Sequence, residues 1–125
     1  RMCDEVHAGG LLLHFHCDAN MQDLTDVMVD AGVDIYQSIE PHEPMARYKQ
    51  EIGAHVTLWG GVSCGDLCTA SPDEIRRQAH YAIDNCGPGG GFILGSSHNI
   101  MLTARPENFQ AMLDVALQHG NYPLA

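Results

Sequence analysis

Short apolar runs along this chain alternate with stretches in which apolar residues recur at helical spacing. Leu11-Leu12-Leu13-His14-Phe15-His16, bounded by Gly9-Gly10 and Asp18-Ala19-Asn20, has the pattern of a strand buried on both faces, as in a parallel sheet. Asp34 to Ile39, His55 to Gly60 and Gly91 to Gly95 repeat the theme in short, Gly-punctuated segments rich in β-branched and aromatic residues. Four strands are expected. Between them, Asn20 and Asp23 offer an N-cap to a helix carrying Leu24, Val27, Met28 and Ala31 on one face and stopped by Gly32. Pro44 opens a second helix with Met45, Tyr48 and Ile52, ended by Gly53. Ser71-Pro72-Asp73-Glu74 is a capping box, with Glu74 expected to reach back, and Ile75, Ala79, Ala82, Ile83 and Cys86 continue the buried stripe. The last helix starts near Pro106, carries Phe109, Met112, Leu113, Ala116 and Leu117, and ends at Gly120 with Pro123 beyond.

Strict alternation of strand and helix means parallel strands joined by right-handed crossovers. A four-stranded doubly wound sheet and half of a (β/α)8 barrel both fit that order, and a complete barrel takes about 250 residues. With 125 residues, the expected architecture is α/β, four βα units forming the C-terminal half of a (β/α)8 TIM barrel. Residues 1–125 would then be one partial barrel domain whose N-terminal half is absent, and the opening on Arg1 rather than Met fits a fragment or processed chain. No glycine-rich phosphate fingerprint follows the first strand. The Gly87-Pro88-Gly89-Gly90-Gly91 run enters a strand rather than a helix, so it is read as a flexible connection and not a phosphate cradle.

Composition narrows the partners. A net charge of −10 with only six Lys and Arg argues against nucleic acid. No apolar run approaches the roughly 20 residues of a membrane helix, and nothing resembles a signal peptide. Five cysteines at spacings that fit no disulfide framework favour a reducing, cytoplasmic compartment.

Active sites of parallel α/β proteins lie at the C-terminal ends of the strands. The polar residues collect there: His16, Cys17 and Asp18; Glu40, His42 and Glu43; Ser63, Cys64 and Asp66; Ser96, Ser97, His98 and Asn99. Alternation along the first strand sends His14, His16 and Asp18 to one side and Phe15 and Cys17 to the other. His16-x-Asp18 is therefore a clamp for zinc or another divalent metal, with His98 as the third ligand, and barrel curvature would bring these strand ends together. Hydrogen-bonded structure and proton transfer are the competing readings of the same histidines. His14 is expected to be a satisfied histidine of the barrel core, and Cys64-x-x-x-Cys68 to lie on a turn with no zinc. Glu40, ending a buried strand, is a candidate general base or a support to the metal ligands; Glu40 and Glu43 also read as a solvated loop. Arg76, Arg77 and His80 read as an exposed helix face, and Trp59 as packing or a substrate wall.

The same segments resemble the uroporphyrinogen decarboxylase superfamily, which includes decarboxylases and cobamide-dependent methyltransferases. His16-Cys17-Asp18-Ala19-Asn20 is similar to its H-S-D-G-N or H-S-C-G segment, and Ala31-Gly32-Val33-Asp34 with Ser38-Ile39-Glu40 to its A-G-V-D…P-I-E stretch. Leu58-Trp59-Gly60-Gly61-Val62 resembles its L-x-G-G-V strand, Ser71 to Ile75 its T-P-E-E-V helix start, Gly91 to Ile100 its G-Y-I-L-G-S-G-H-x-I segment, and Pro106-Glu107-Asn108 its P-x-E-N helix. The resemblance implies a (β/α)8 barrel. In the methyltransferase branch it implies a zinc held by a His-x-Cys pair and a later Cys: His16 matches the histidine, Asp18 replaces the first cysteine, and His98 falls near the later one. Such a protein would pass a methyl group between a corrinoid on a partner protein and a small donor or acceptor. In the decarboxylase branch His98 contacts a tetrapyrrole and no cofactor is needed. Ser63 stands where many members carry Asp. A half-barrel alone would be inactive, and would self-associate or pair with its missing half.

Overall fold

The computed structural model describes residues 2–122 and Leu124; the opening Arg1 and the Pro123 expected beyond the last helix lie outside the described residues. In chain order the elements are α1 (Met2–Ala8), β1 (His14–His16), α2 (Thr25–Ala31), β2 (Ile35–Ile39), α3 (Met45–Ile52), β3 (Thr57–Val62), α4 (Cys64–Thr69), α5 (Pro72–Cys86), β4 (Phe92–Ser96) and α6 (Pro106–His119). All three strand pairs are parallel and the sheet order is β1-β2-β3-β4. A doubly wound sheet reverses direction partway through its order, whereas consecutive neighbours are the winding of a barrel.

The helices share one face of this sheet. Tyr36, Ile39, Leu58, Phe15, Phe92 and Leu94 pack with Met28, Met45, Tyr48, Ile52, Ala82 and Cys86. Phe92 and Leu94 also join a second cluster built from Val62, Leu67, Ile75, Ala79, Ile83, Ala111, Met112 and Val115. Each fully buried aliphatic side chain here stabilises the fold by about 1.5–3 kcal/mol. Burial raises the Tyr36 and Tyr48 hydroxyls well above their ordinary value, with the Glu43 carboxylate adding to both. The Cys86 thiol is pushed up to about 11, mainly by burial. On the opposite face, His14 stacks on Trp59 with ring centroids 5.2 Å apart, and Ile93 is exposed. This is the surface that would face the axis of a closed barrel.

The local ends follow the capping chemistry, with exceptions. Ser71 Oγ accepts the Glu74 N–H at 3.3 Å, but Glu74 does not reach back; its carboxylate turns forward to Arg77 and to Gln78 Nε2. Asn20 closes an Asx turn onto the Gln22 N–H rather than capping α2, which starts at Thr25 without a side-chain cap. The glycine run before β4 is pinned, because Lys49 Nζ donates to the Gly90 carbonyl. The expected strand at Leu11 shrinks to His14–His16, and Leu11 and Leu12 are exposed. Cys64 to Thr69 is a helix rather than a turn, with Leu67 buried beneath it and the fully buried Asn108 amide donating to the carbonyls of Leu67 and Ala70 at 3.1 and 3.0 Å. Among the described residues no helix is long and apolar enough to cross a membrane.

Candidate functional site

Every strand ends on the same rim, and the rim collects the polar groups. β1 delivers His16 and, two residues on, Asp18; β4 delivers Ser97 and His98. Strand curvature brings the ends of these two edge strands together: the His16 and His98 rings lie 5.0 Å apart, edge to face. His16 Nε2 is 3.3 Å from Asp18 Oδ1, and His98 Nε2 is 3.8 Å from Asp18 Oδ2. Ligand atoms of His16, Asp18 and His98 all fall within 4.8 Å of one another, and all three residues are exposed. The three residues expected as a set are thus brought together on one rim.

Their hydrogen bonds define what each can do. Gln37, the register partner of His16 on β2, accepts from His16 Nδ1 at 3.2 Å, which leaves Nε2 to carry its lone pair toward Asp18. A lone pair facing a carboxylate oxygen is repulsive unless a proton or another cation lies between them, so this contact calls for one. Asp18 also accepts the Ser38 hydroxyl at 2.6 Å. That bond, with smaller help from the positive fields of His16 and His98 and against some desolvation, holds the Asp18 carboxyl below its usual range. His98 differs: its Nδ1 accepts the Asn99 N–H at 2.7 Å, so a neutral ring carries its proton on Nε2, facing Asp18.

These donors fit a divalent cation in large part. Tetrahedral ligands at 2.0–2.2 Å from zinc sit about 3.4 Å from each other; the His16–Asp18 separation of 3.3 Å matches that, while His98 stands 3.8 Å from the other Asp18 oxygen and the set lies within 4.8 Å, so binding would draw it inward. The Gln37 bond to His16 is the outer-shell contact that orients ligating imidazoles. His98 fits only after its Nε2 gives up a proton, which moves to Nδ1 at the expense of the Asn99 bond.

Beside the cluster lies an open cleft of about 620 Å³ lined by Asp18, Ser38, Glu40, His42, Glu43, Ser63, Cys64 and His98, among others, and by no Lys or Arg among the described residues. Glu40 shares this cleft but makes no direct bond to the His16–Asp18–His98 set; its Oε1 accepts the Ser97 hydroxyl at 2.5 Å, and Ser97 Oγ in turn accepts the Cys64 N–H at 3.2 Å. Glu43 is structural rather than a solvated loop residue, accepting the Glu40 N–H at 2.8 Å and the Tyr48 hydroxyl at 3.1 Å. Asp66 is occupied by buried Gln78 at 2.6 Å. Cys17 turns toward the core, as alternation demands. Cys68 is bonded to the Cys64 carbonyl and by Thr103, and Cys64 and Cys68 form no ligand cluster among the described residues. His14 lies on the face that would line a closed barrel, stacked on Trp59, and is exposed in this four-stranded sheet because no further strands close over that face.

Two residues of the site escaped the sequence reading. Gln37 is legible as the polar interruption of an apolar strand, two positions from Ile35 on the face that His16 shares. Ser38 carries no such signal, because its position rests on backbone geometry.

The uroporphyrinogen decarboxylase of Nitrosococcus oceani is 31% identical to this chain over 72 residues, which cover 56% of the chain but 19% of that protein's length. The matched stretch is thus about a fifth of the relative. The model of the uroporphyrinogen decarboxylase (URO-D) family matches residues 1–119, and with its consecutive parallel strands and strand-end site the chain belongs to that family.

Proposed function

We propose that this chain supplies the metal-binding rim of a URO-D-family methyl-transferring enzyme, with His16, Asp18 and His98 holding a divalent cation and Glu40 handling the proton. The observation that carries the reading is the convergence of His16, Asp18 and His98, whose ligand atoms lie within 4.8 Å of one another beside a cleft lined by the carboxylates of Asp18, Glu40 and Glu43. Such carboxylates suit a cation. A divalent ion bound there supplies Lewis acidity toward the oxygen or nitrogen that bears the methyl group. When the methyl group passes as a CH₃⁺ equivalent to a nucleophilic corrinoid on a partner protein, an ether oxygen or amine nitrogen keeps the bonding pair and needs a positive charge, whereas a betaine-like quaternary nitrogen leaves as a neutral amine and the ion would hold the substrate's carboxylate instead. Ser97 fixes one oxygen of Glu40, which leaves the other to exchange a proton in the cleft. An oxygen-nitrogen ligand set, lacking thiolates, favours ether, amine or betaine-like methyl compounds over a thiol acceptor. Five unpaired cysteines fit a reducing, cytoplasmic setting.

One observation favours a second reading, decarboxylation of a tetrapyrrole carboxylate. The Asn99 N–H fixes His98 with its Nε2 proton toward the cleft, the state of a donor to substrate rather than a ligand, and the matched relative carries the decarboxylase name. In that reaction the bond between a side-chain methylene carbon and its carboxylate breaks, carbon dioxide leaves and that methylene carbon takes a proton to become a methyl group, with no metal. Elemental analysis of the protein and of Asp18→Ala separates the two. The first reading expects near-stoichiometric metal in the parent and a tenfold or greater loss of affinity in the variant. Metal-free protein that decarboxylates uroporphyrinogen overturns it.

A further inference from the structure

We infer that Ser38 is a positioning residue, held in a strained backbone conformation so that its hydroxyl fixes the Asp18 side chain. Three observations meet at this residue. Ser38 is the one non-glycine with positive φ among the described residues, at 119°. The β2–β3 register skips it, running from Gln37 opposite Trp59 to Ile39 opposite Gly60, so it forms a bulge in a parallel ladder. Its hydroxyl donates to Asp18 Oδ1 at 2.6 Å although the residue itself is buried at 3% exposure.

An unbulged β2 would continue the alternation, placing residue 38 on the helix-packed face with Tyr36 and away from the rim. The extra residue breaks that alternation, and bulges next to functional sites re-aim side chains in this way. Serine has no intrinsic advantage at positive φ; glycine would relieve the strain, and asparagine is the usual polar compromise. The hydroxyl is what glycine lacks. Its bond stops rotation of an otherwise solvent-exposed carboxylate and turns Oδ2 toward His98, 3.8 Å away.

The positioning role stands on this geometry; its bearing on a bound cation rests on the proposed function. Two variants of the full chain test it, Ser38→Ala, which keeps the strained Cβ and removes the hydroxyl, and Ser38→Gly, which removes both. Side-chain coupling constants of Asp18, measured by NMR in metal-free protein, report one rotamer in the parent, and averaging over staggered rotamers is expected in both variants. Ser38→Gly is expected to melt above Ser38→Ala, because only the glycine relieves the backbone. A single unchanged Asp18 rotamer in both variants overturns the inference, since a merely structural serine would leave Asp18 in place. Cobalt(II) titration forms a separate arm. A parent that binds and variants weakened about tenfold support the role of Asp18 toward a cation, whereas a parent that fails to bind removes the metal reading and leaves the rotamer result to decide the role of Ser38.

Discussion

Replacing Gly60 by Ala tests how the sheet shapes the rim. Gly60 sits opposite the Ser38 bulge at φ 143°, and a Cβ there would lie 2.6 Å from the Ile39 carbonyl oxygen and 2.9 Å from the Ile39 nitrogen. Both contacts are backbone, so no rotamer change relieves them. A non-glycine residue at such a φ costs about 1–3 kcal/mol, and overpacking against fixed atoms adds about 1–3 kcal/mol. The expected loss of about 2–6 kcal/mol is a large part of the 5–15 kcal/mol typical of a domain. At about 3–5 °C per kcal/mol for a chain of this size, the melting temperature should fall by roughly 6–30 °C. Gly95→Ala is the internal comparison. Its Cβ would meet the Trp59 indole at 2.7 Å with no positive φ, and a side chain can turn aside, so its loss should be about 1–2 kcal/mol. Circular dichroism melts of the parent and both variants suffice. A Gly60→Ala protein melting within about 2 °C of the parent, or above Gly95→Ala, would refute the argument that β3 is glycine-built to receive the β2 bulge.

Other expectations follow from separate parts of the fold. Ser71→Ala removes the one side-chain cap of α5 and should cost about 1 kcal/mol in urea unfolding; no change would show the Pro72 start to be sufficient. The Leu13 N–H bond, with help from His7, holds the Asp34 carboxyl below its usual 3.8. A lowered folded value means stability present above 3.8 and lost as pH falls through that lower value. Relative to its intrinsic rate, the Leu13 amide should therefore lose exchange protection in acid, and at every pH in Asp34→Ala; retained protection in the variant would contradict this. The open edges of β1 and β4 and the uncovered Trp59 face should make the 125-residue chain self-associate. Its −10 charge opposes that, so sedimentation should show association strengthening with salt. A monomer at all salt concentrations would count against it.

The sequence carried the parallel half-barrel because the strand–helix alternation and glycine stops are local signals that survive folding. It misjudged Leu11 and Leu12, whose apolar run reads as a buried strand, because an edge strand has a single neighbour and no helix covers its other side. α1 went unread: Cys3 is its buried apolar residue among those described, too little to make a stripe. α4 was missed because six residues hold one buried side chain, and the amide that ties it down, Asn108, is about forty positions later. Within the site, alternation put His16 and Asp18 on one side, and the barrel winding brought in His98. The roles of Gln37 and Ser38 come from register and from a bulge, which residue types do not encode.

In the proposed site His16, Asp18 and His98 form a nitrogen–oxygen metal centre at the strand ends. X-ray absorption at the zinc edge of the zinc-loaded chain tests it most directly. Light-atom ligands at about 2.0–2.2 Å with imidazole scattering are expected for this centre, and both should be abolished in Asp18→Ala. Sulfur at about 2.3 Å, pointing to Cys17 or Cys64, or no bound ion at all, would contradict it.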